Sequence, residues 1–285
     1  MGLLAPAPSP ALVLGAIASV QFGAAIATTL FSRIGPGGAV WLRLVFGTLI
    51  LLPLWRPRWR GRPRRDILLA CLFGFVLASM NFTFYSAIHR IPLGIAVTLE
   101  FVGPLAVAIA GSRRPLDLVW VAFAAAGILA LTGGGVHHLD ALGVVLALVA
   151  GGLWAAYILI NARVGRAFEG GTGLSLAMCV ASLLMVPVGI AQGGSNLLEP
   201  RVLLLGAAVG LLSSAIPYSF ENEALRRIDP GVFGVLMSIE PAMAALAGFI
   251  LLGQGLAARE LVGITLVVVA SVGAARRTRE APVAL

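Results

Sequence analysis

The sequence predicts an all-α integral membrane protein of ten transmembrane helices, arranged as two inverted five-helix repeats. Three observations carry that prediction: an excess of apolar residues, ten apolar runs of spanning length, and a regular alternation of arginine-rich and arginine-poor links. Of 285 residues, 59% are hydrophobic and 11% charged, with a mean hydropathy of +1.00. Soluble domains average about 45–50% apolar and about 25% charged residues. A chain this apolar cannot cover itself with polar surface in water, so the excess faces the lipid bilayer.

A spanning helix needs about 20 mainly apolar residues, each rising about 1.5 Å. Runs of that kind cover 10–31, 37–55, 66–88, 93–111, 116–134, 139–160, 171–192, 201–220, 231–252 and 259–275. They are apolar on all sides and longer than the alternating segments of about 10 residues that build membrane barrels, so they read as helices. The first run has no basic leader and no cleavage pattern before it, and it reads as a permanent span.

All 20 basic residues are arginine. Fifteen lie in links after even-numbered runs: Arg56, Arg58, Arg60, Arg62, Arg64, Arg65, Arg113, Arg114, Arg163, Arg166, Arg226, Arg227, Arg276, Arg277 and Arg279. The opposite side holds Arg33, Arg90, Arg201 and Arg259, and Arg43 lies inside the second run. Positive charge marks the cytoplasmic side, so both termini are expected there. Topology also accounts for the net charge of +8, which excludes nucleic acid as the partner that charge serves.

An internal repeat agrees with this count. Arg90-Ile91-Pro92-Leu93-Gly94 reappears as Arg227-Ile228-Asp229-Pro230-Gly231, and Pro104 matches Pro241 at the same offset of 137. Asp117-Leu118-Val119 resembles Glu260-Leu261-Val262 before the last run. The expected units are 1–136 and 137–285, five spans each. An odd number of spans per unit inserts the two with opposite orientation, and inverted repeats place a small-molecule site between them near the midplane.

An ionisable side chain at the bilayer centre costs roughly 2.5–3.5 kcal/mol, so such residues face a cavity or a partner. Glu100 and Glu240 lie well inside the fourth and ninth runs, each followed by a proline, Pro104 and Pro241. They suit a proton-accepting or amine-binding carboxylate, or else a polar contact that pins two helices. Arg43 suits a substrate carboxylate, a glutamate partner or an outward reach to the interface. Glu221 shares a helix face with Tyr218 and is placed at a cytoplasmic mouth, while Glu223 and Arg227 have the spacing of an i,i+4 pair. Asn81 with Tyr85, and Trp154 with Tyr157, offer hydrogen bonds and aromatic surface to a cavity or to helix packing.

Nothing in the chain suggests catalysis, a metal or a cofactor. Cys71 and Cys179 lack redox or metal spacing, and His137-His138 reads as a loop pair without a third ligand. Gly127, Gly143, Gly151 and Gly152 sit in apolar runs and read as close helix contacts, not as a phosphate loop.

Several strings carry a family resemblance. They are 91–108 (Ile91-Pro92-Leu93-Gly94 through Glu100-Phe101-Val102-Gly103-Pro104 to Ala108), 112–121, 211–221 (with Ser213-Ser214-Ala215-Ile216-Pro217-Tyr218) and 233–242 (with Ser238-Ile239-Glu240-Pro241). Trp41-Leu42-Arg43-Leu44 continues the likeness in the second run. Together they resemble the EamA-type branch of the drug/metabolite transporter superfamily. The resemblance implies ten helices in two inverted EamA repeats, located in the bacterial inner (plasma) membrane. It implies efflux of small metabolites, including neutral amino acids such as threonine and homoserine, driven by an ion gradient, with protons as the expected partner. Drugs, nucleotide sugars or other metabolites are alternative cargoes on the same fold, and a scaffold or membrane enzyme is the alternative class. The oligomeric state is open. No family signature carries over residue by residue, so the site residues rest on the physical reading above.

Overall fold

The computed structural model describes residues 8–56, 61–110, 117–132, 139–225, 227–228 and 230–278. Arg58, Arg60, Arg113, Arg114, Arg226, Asp229, Arg279, His137 and His138 lie outside the described residues. Among the described residues there are fourteen α-helical segments: α1 (Ser9–Thr28), α2 (Phe31–Leu54), α3 (Arg64–Ile88), α4 (Leu93–Glu100), α5 (Val102–Ala110), α6 (Asp117–Thr132), α7 (Ala141–Ala167), α8 (Thr172–Leu184), α9 (Val186–Gly193), α10 (Pro200–Gly210), α11 (Ile216–Leu225), α12 (Pro230–Met237), α13 (Glu240–Leu252) and α14 (Ala258–Thr278). A π-helical turn, Leu211–Ala215, joins α10 to α11.

Among the described residues, six helical stretches are long and apolar enough to cross a membrane: Ser9–Thr28, Phe31–Leu54, Arg64–Ile88, Ala141–Ala167, Pro200–Glu221 and Phe233–Leu252. The pair Thr172–Leu184 and Val186–Leu198, bent by 45°, makes a seventh when taken as one span. Leu93–Val107 and Val119–Leu131 are shorter apolar helices. Large apolar side chains project outward, with Leu68, Leu183 and Leu204 each 68–72% exposed, while Gln21, Arg43, Asn81, Glu100 and Glu240 are buried. Polar inside and apolar outside is the reverse of a water-soluble bundle, and it defines a multi-pass protein whose outer solvent is lipid.

Two helices differ from the sequence expectation. The second run was expected from residue 37, but α2 begins at Phe31 and is interrupted at Gly35, where φ is +65°. Only glycine takes that conformation without steric cost, and Pro36 restarts the helix because its φ is already helical. The freed N–H of Gly37 donates to Gln192 Oε1 at 2.7 Å. The sixth run was expected to end near residue 160, but α7 continues to Ala167, so Arg163 and Arg166 stand in its final turns.

Proline sets the other breaks. A proline lacks the N–H that would bond the carbonyl four residues earlier. Pro104 therefore frees the carbonyl of Glu100, Pro217 that of Ser213, and Pro241 that of Met237. Helices end or widen there: α4 stops at Glu100, the π turn covers Ser213, and α12 stops at Met237. In the packed bundle α1 lies against α11 and α13, α3 against α7 and α8, α2 against α9 and α10, α4 against α13, and α6 against α14.

The start of α7 offers a test outside the apolar layer. Asp140 Oδ1 accepts from the N–H groups of Leu142 and Gly143 at 2.8 and 3.2 Å, and Oδ2 accepts from Arg90 at 2.8 Å. The Arg90 hydrogen bond, then that of Gly143, holds the Asp140 carboxyl below its ordinary range. A depressed carboxyl contributes stability that is present above its unfolded value, about 3.9, and is lost as pH falls through the lower folded value. Asp140→Ala should lower the thermal unfolding midpoint at pH 7, and the gap to wild type should close under strong acid. A gap that persists there would mean the cap acts through something other than its charge.

Candidate functional site

The helix breaks meet at one cavity of about 670 Å³. Arg43, Asn81, Glu100, Tyr157, Tyr218, Glu221 and Glu240 all line it, so seven of the eight predicted site residues converge on one space. Tyr85 does not line it. It is fully buried behind Arg43, with its hydroxyl 3.5 Å from Arg43 Nη1 and the guanidinium carbon 5.6 Å from its ring centre.

Each polar group has a local cause. Arg43 projects from α2 and donates through Nη2 to the Ser213 carbonyl at 2.9 Å and through Nε to Ser214 Oγ at 3.5 Å. That carbonyl is available because Pro217 cannot bond it. Of the three alternatives for Arg43, neither an outward reach nor a glutamate hydrogen bond is seen among the described residues; backbone and hydroxyl acceptors hold the guanidinium beside the cavity. Glu240 opens α13, directly after the break at Ser238-Ile239, and its Oε1 accepts from Gln21 Nε2 at 2.9 Å. Glu100 closes α4, and an added Cβ at Gly151 of α7 would lie 2.6 Å from its main-chain oxygen. Asn81 donates to the Leu77 carbonyl of its own helix at 2.7 Å, which leaves its side-chain oxygen for the cavity.

Apolar walls complete the space. Phe101 and Trp154 meet edge to face at 5.4 Å, and Tyr157 packs on Phe73 at 5.0 Å. At one end the lining residues Asn161 and Ala162 are exposed, near the end of α7 that leads to the 167–172 link. At the opposite end Leu30, Ile34, Ala87, Leu93 and Ile95 are at most 1% exposed and fill the bundle. The cavity is therefore a pouch with its mouth toward the side carrying Arg62 and Arg166. At that side Glu223 accepts from Arg227 Nε at 2.9 Å, the predicted i,i+4 pair.

Gln21, Ser213 and Asn161 belong to the lining and were not singled out from the sequence. The available signal was an amide, Gln21, alone in a 20-residue apolar helix, since an unpaired buried amide costs roughly 1–3 kcal/mol.

A lipid-facing helical bundle around a metabolite-sized pouch, with a few buried polar groups set in mainly apolar walls, fits the class of multi-pass membrane transport proteins. The chain belongs to the EamA-like transporter family, whose model matches residues 141–276. It is 45% identical to the threonine/homoserine exporter RhtA of Escherichia coli K12 over 272 residues, covering 94% of this chain and 92% of the relative. It is 43% identical to RhtA of Salmonella typhimurium SL1344 over 95% of this chain and 92% of that protein. An uncharacterized transporter of Bacillus subtilis 168, YwfM, is 26% identical over 78% of both chains. A solved crystal structure shares the fold with a TM-score of 0.66 at 17% identity, covering 96% of this chain and 99% of the other.

Proposed function

We propose that this protein is a secondary-active exporter of small neutral amino acids such as threonine and homoserine, coupled to proton entry across the bacterial inner membrane. The observation that carries the reading is the 45% identity, across nearly the whole chain, to a protein named for that export. The pouch agrees with it: a buried guanidinium and buried carboxylates face the same space, as a zwitterionic cargo and an exchangeable proton require.

In this reading the chain spans the membrane ten times, with repeats at 1–136 and 137–285 inverted relative to each other and both termini cytoplasmic. Several contacts support that symmetry. Gly127 and Gly263 are 136 residues apart, and an added Cβ on each would meet the other's carbonyl, at 2.8 and 2.9 Å. Gly74 and Gly210 are also 136 apart, and each sits where its helix crosses a helix of the other unit, against Val180 and Phe46 respectively. With the arginine-rich side in the cytoplasm, the pouch opens to the compartment from which an exporter loads.

The reading is tested in proteoliposomes with an imposed pH gradient. Labelled threonine should move against its gradient when protons flow the other way. Flux that ignores the pH gradient removes the coupling, and absence of threonine flux removes the cargo. One observation favours a second cargo class: the pouch is roomy and walled by Phe84, Phe101, Trp154 and Phe233. Amphipathic drugs suit such walls, and growth of an overexpressing strain across toxic amino-acid analogues and drugs separates the two.

A further inference from the structure

The end of the bundle remote from the mouth is closed twice over. One closure is the plug of Leu30, Ile34, Ala87, Leu93 and Ile95. The other is a set of polar contacts that tie the N-terminal half of the chain to the C-terminal half. Gln192, at the end of α9, accepts the N–H of Gly37 at 2.7 Å, and Gln254, just after α13, accepts that of Leu93 at 3.0 Å. Arg33 pairs with Glu199 at 2.6 Å and Arg90 with Asp140 at 2.8 Å. Asn196 donates to the Arg33 carbonyl at 2.9 Å.

The two glutamines share a construction. Each takes the N–H of a helix start in the other half: Gly37 stands just past the break at Gly35, and Leu93 is the first residue of α4. Such an N–H has no partner in its own helix. Each amide oxygen is also seated on glycine. An added Cβ at Gly35 or Gly37 would lie 2.6 or 2.9 Å from Gln192 Oε1, and one at Gly248 would lie 2.7 Å from Gln254 Oε1. Gly37 and Leu93 are buried, while Gln192 is exposed and Gln254 half-buried. When the halves are together, the glutamines supply the acceptors. When they part, water reaches both N–H groups and takes over that role. The ion pairs beside them stand in solvent and are individually weak, so water can replace them too.

An exporter exposes its cargo site to each side of the membrane in turn. We infer that Gln192 and Gln254 are the latches of a gate at this end, holding it shut while the mouth is open and letting go when cargo leaves. The inference rests on the pouch being the cargo site of the proposed exporter. Loss of an amide acceptor destabilises the closed gate alone, because in the open gate water satisfies the same N–H. Removing the latches therefore shifts the population toward the open gate.

The test uses the full-length protein in nanodiscs, carrying Cys71→Ser, Cys179→Ser and a reporter in the plug, Ala87→Cys. A water-soluble maleimide reaches that thiol when the gate parts. Gln192→Leu and Gln254→Leu should each quicken labelling at least about threefold, and the two together at least about tenfold. A second reporter, Ala177→Cys, is fully buried in the cluster of Phe73 and Val164. It should stay protected in the same variants, which separates a parted gate from a loosened fold. A cross-link tests the gate with both latches intact: Arg33→Cys and Glu199→Cys, joined by a cleavable bifunctional thiol reagent, should block threonine export in vesicles, and reduction should restore it. Unchanged labelling of Ala87→Cys, or cross-linked protein that exports at the unlinked rate, overturns the gate. If the double variant exposes both reporters alike, the cross-link decides. Faster labelling of the plug alone, without threonine flux in the unlinked protein, would uphold the gate and remove the export reading instead.

Discussion

Glu240→Gln is expected to reduce export of labelled threonine under an imposed pH gradient to less than about 1% of wild type, equivalent to about 3 kcal/mol of lost interaction. The substitution keeps the size and shape of the side chain. Its carbonyl oxygen can still accept the 2.9 Å hydrogen bond from Gln21, so α1 and α13 stay joined. What disappears is the titratable carboxyl group that the proposed coupling would use, at the point where the broken helix α12–α13 faces the pouch. Protein levels in the membrane and size-exclusion profiles should match wild type, which separates a loss of chemistry from a loss of fold. Transport at wild-type rates by an equal amount of Glu240→Gln protein would remove Glu240 from the mechanism. The same experiment on Glu221→Gln gives a comparison, since Glu221 faces the pouch nearer its mouth.

Gly151→Val should abolish accumulation of folded protein. A Cβ at Gly151 would sit 2.6 Å from the Glu100 carbonyl oxygen, and one at Gly103 would collide with the Gly151 carbonyl. Two backbones are in contact there, and a backbone cannot rotate aside as a side chain can. Adding one methylene to a packed interior costs about 1–3 kcal/mol, and a branched residue against main chain exceeds the upper end. The adjacent Gly152 has open space at its Cβ position, so Gly152→Ala should be tolerated. The readout is the yield of monodisperse protein after solubilisation. Equal yields of the Gly151→Val and Gly152→Ala proteins would show that the α4–α5 and α7 backbones do not meet as described.

Much of this arrangement is legible in the sequence because lipid imposes a severe rule. An apolar run of about 20 residues has few alternatives to a helix, and an ionisable residue within it has few alternatives to an interior position. Arg43, Glu100 and Glu240 stand out for that reason, and all three line the pouch. Neutral polar residues obey a weaker rule. Thr98 and Ser182 bond carbonyls one turn back in their own helices, so a polar residue in an apolar run need not point at a site. Gln21 and Ser213 escape notice on that account, although their side-chain oxygens find no such local partner. Tyr85 misleads in the other direction, since its aromatic ring and hydroxyl serve Arg43 from behind.

Helix breaks are legible as to place but not as to effect. Pro104 and Pro241 match at the sequence offset of 137, yet Pro104 frees the main-chain oxygen of Glu100 itself, while Pro241 follows Glu240 directly and frees that of Met237. The two carboxylates thus end up on opposite sides of their breaks, one closing a helix and the other opening one. Gly35 is another case: a glycine before a proline signals a boundary, but the helical turn Phe31–Ile34 ahead of it depends on packing around buried Leu30 and Ile34.

The π turn Leu211–Ala215 has a geometric consequence for everything after it. A turn of that type accommodates one more residue than an α turn, and one residue corresponds to about 100° of rotation around the helix axis. Downstream side chains are thereby re-aimed as a set. Tyr218 and Glu221 would be dialled toward a different sector of the bundle if the backbone ran on without the extra residue. Five residues of irregular winding thus act as an azimuthal setting for the whole lower wall of the pouch.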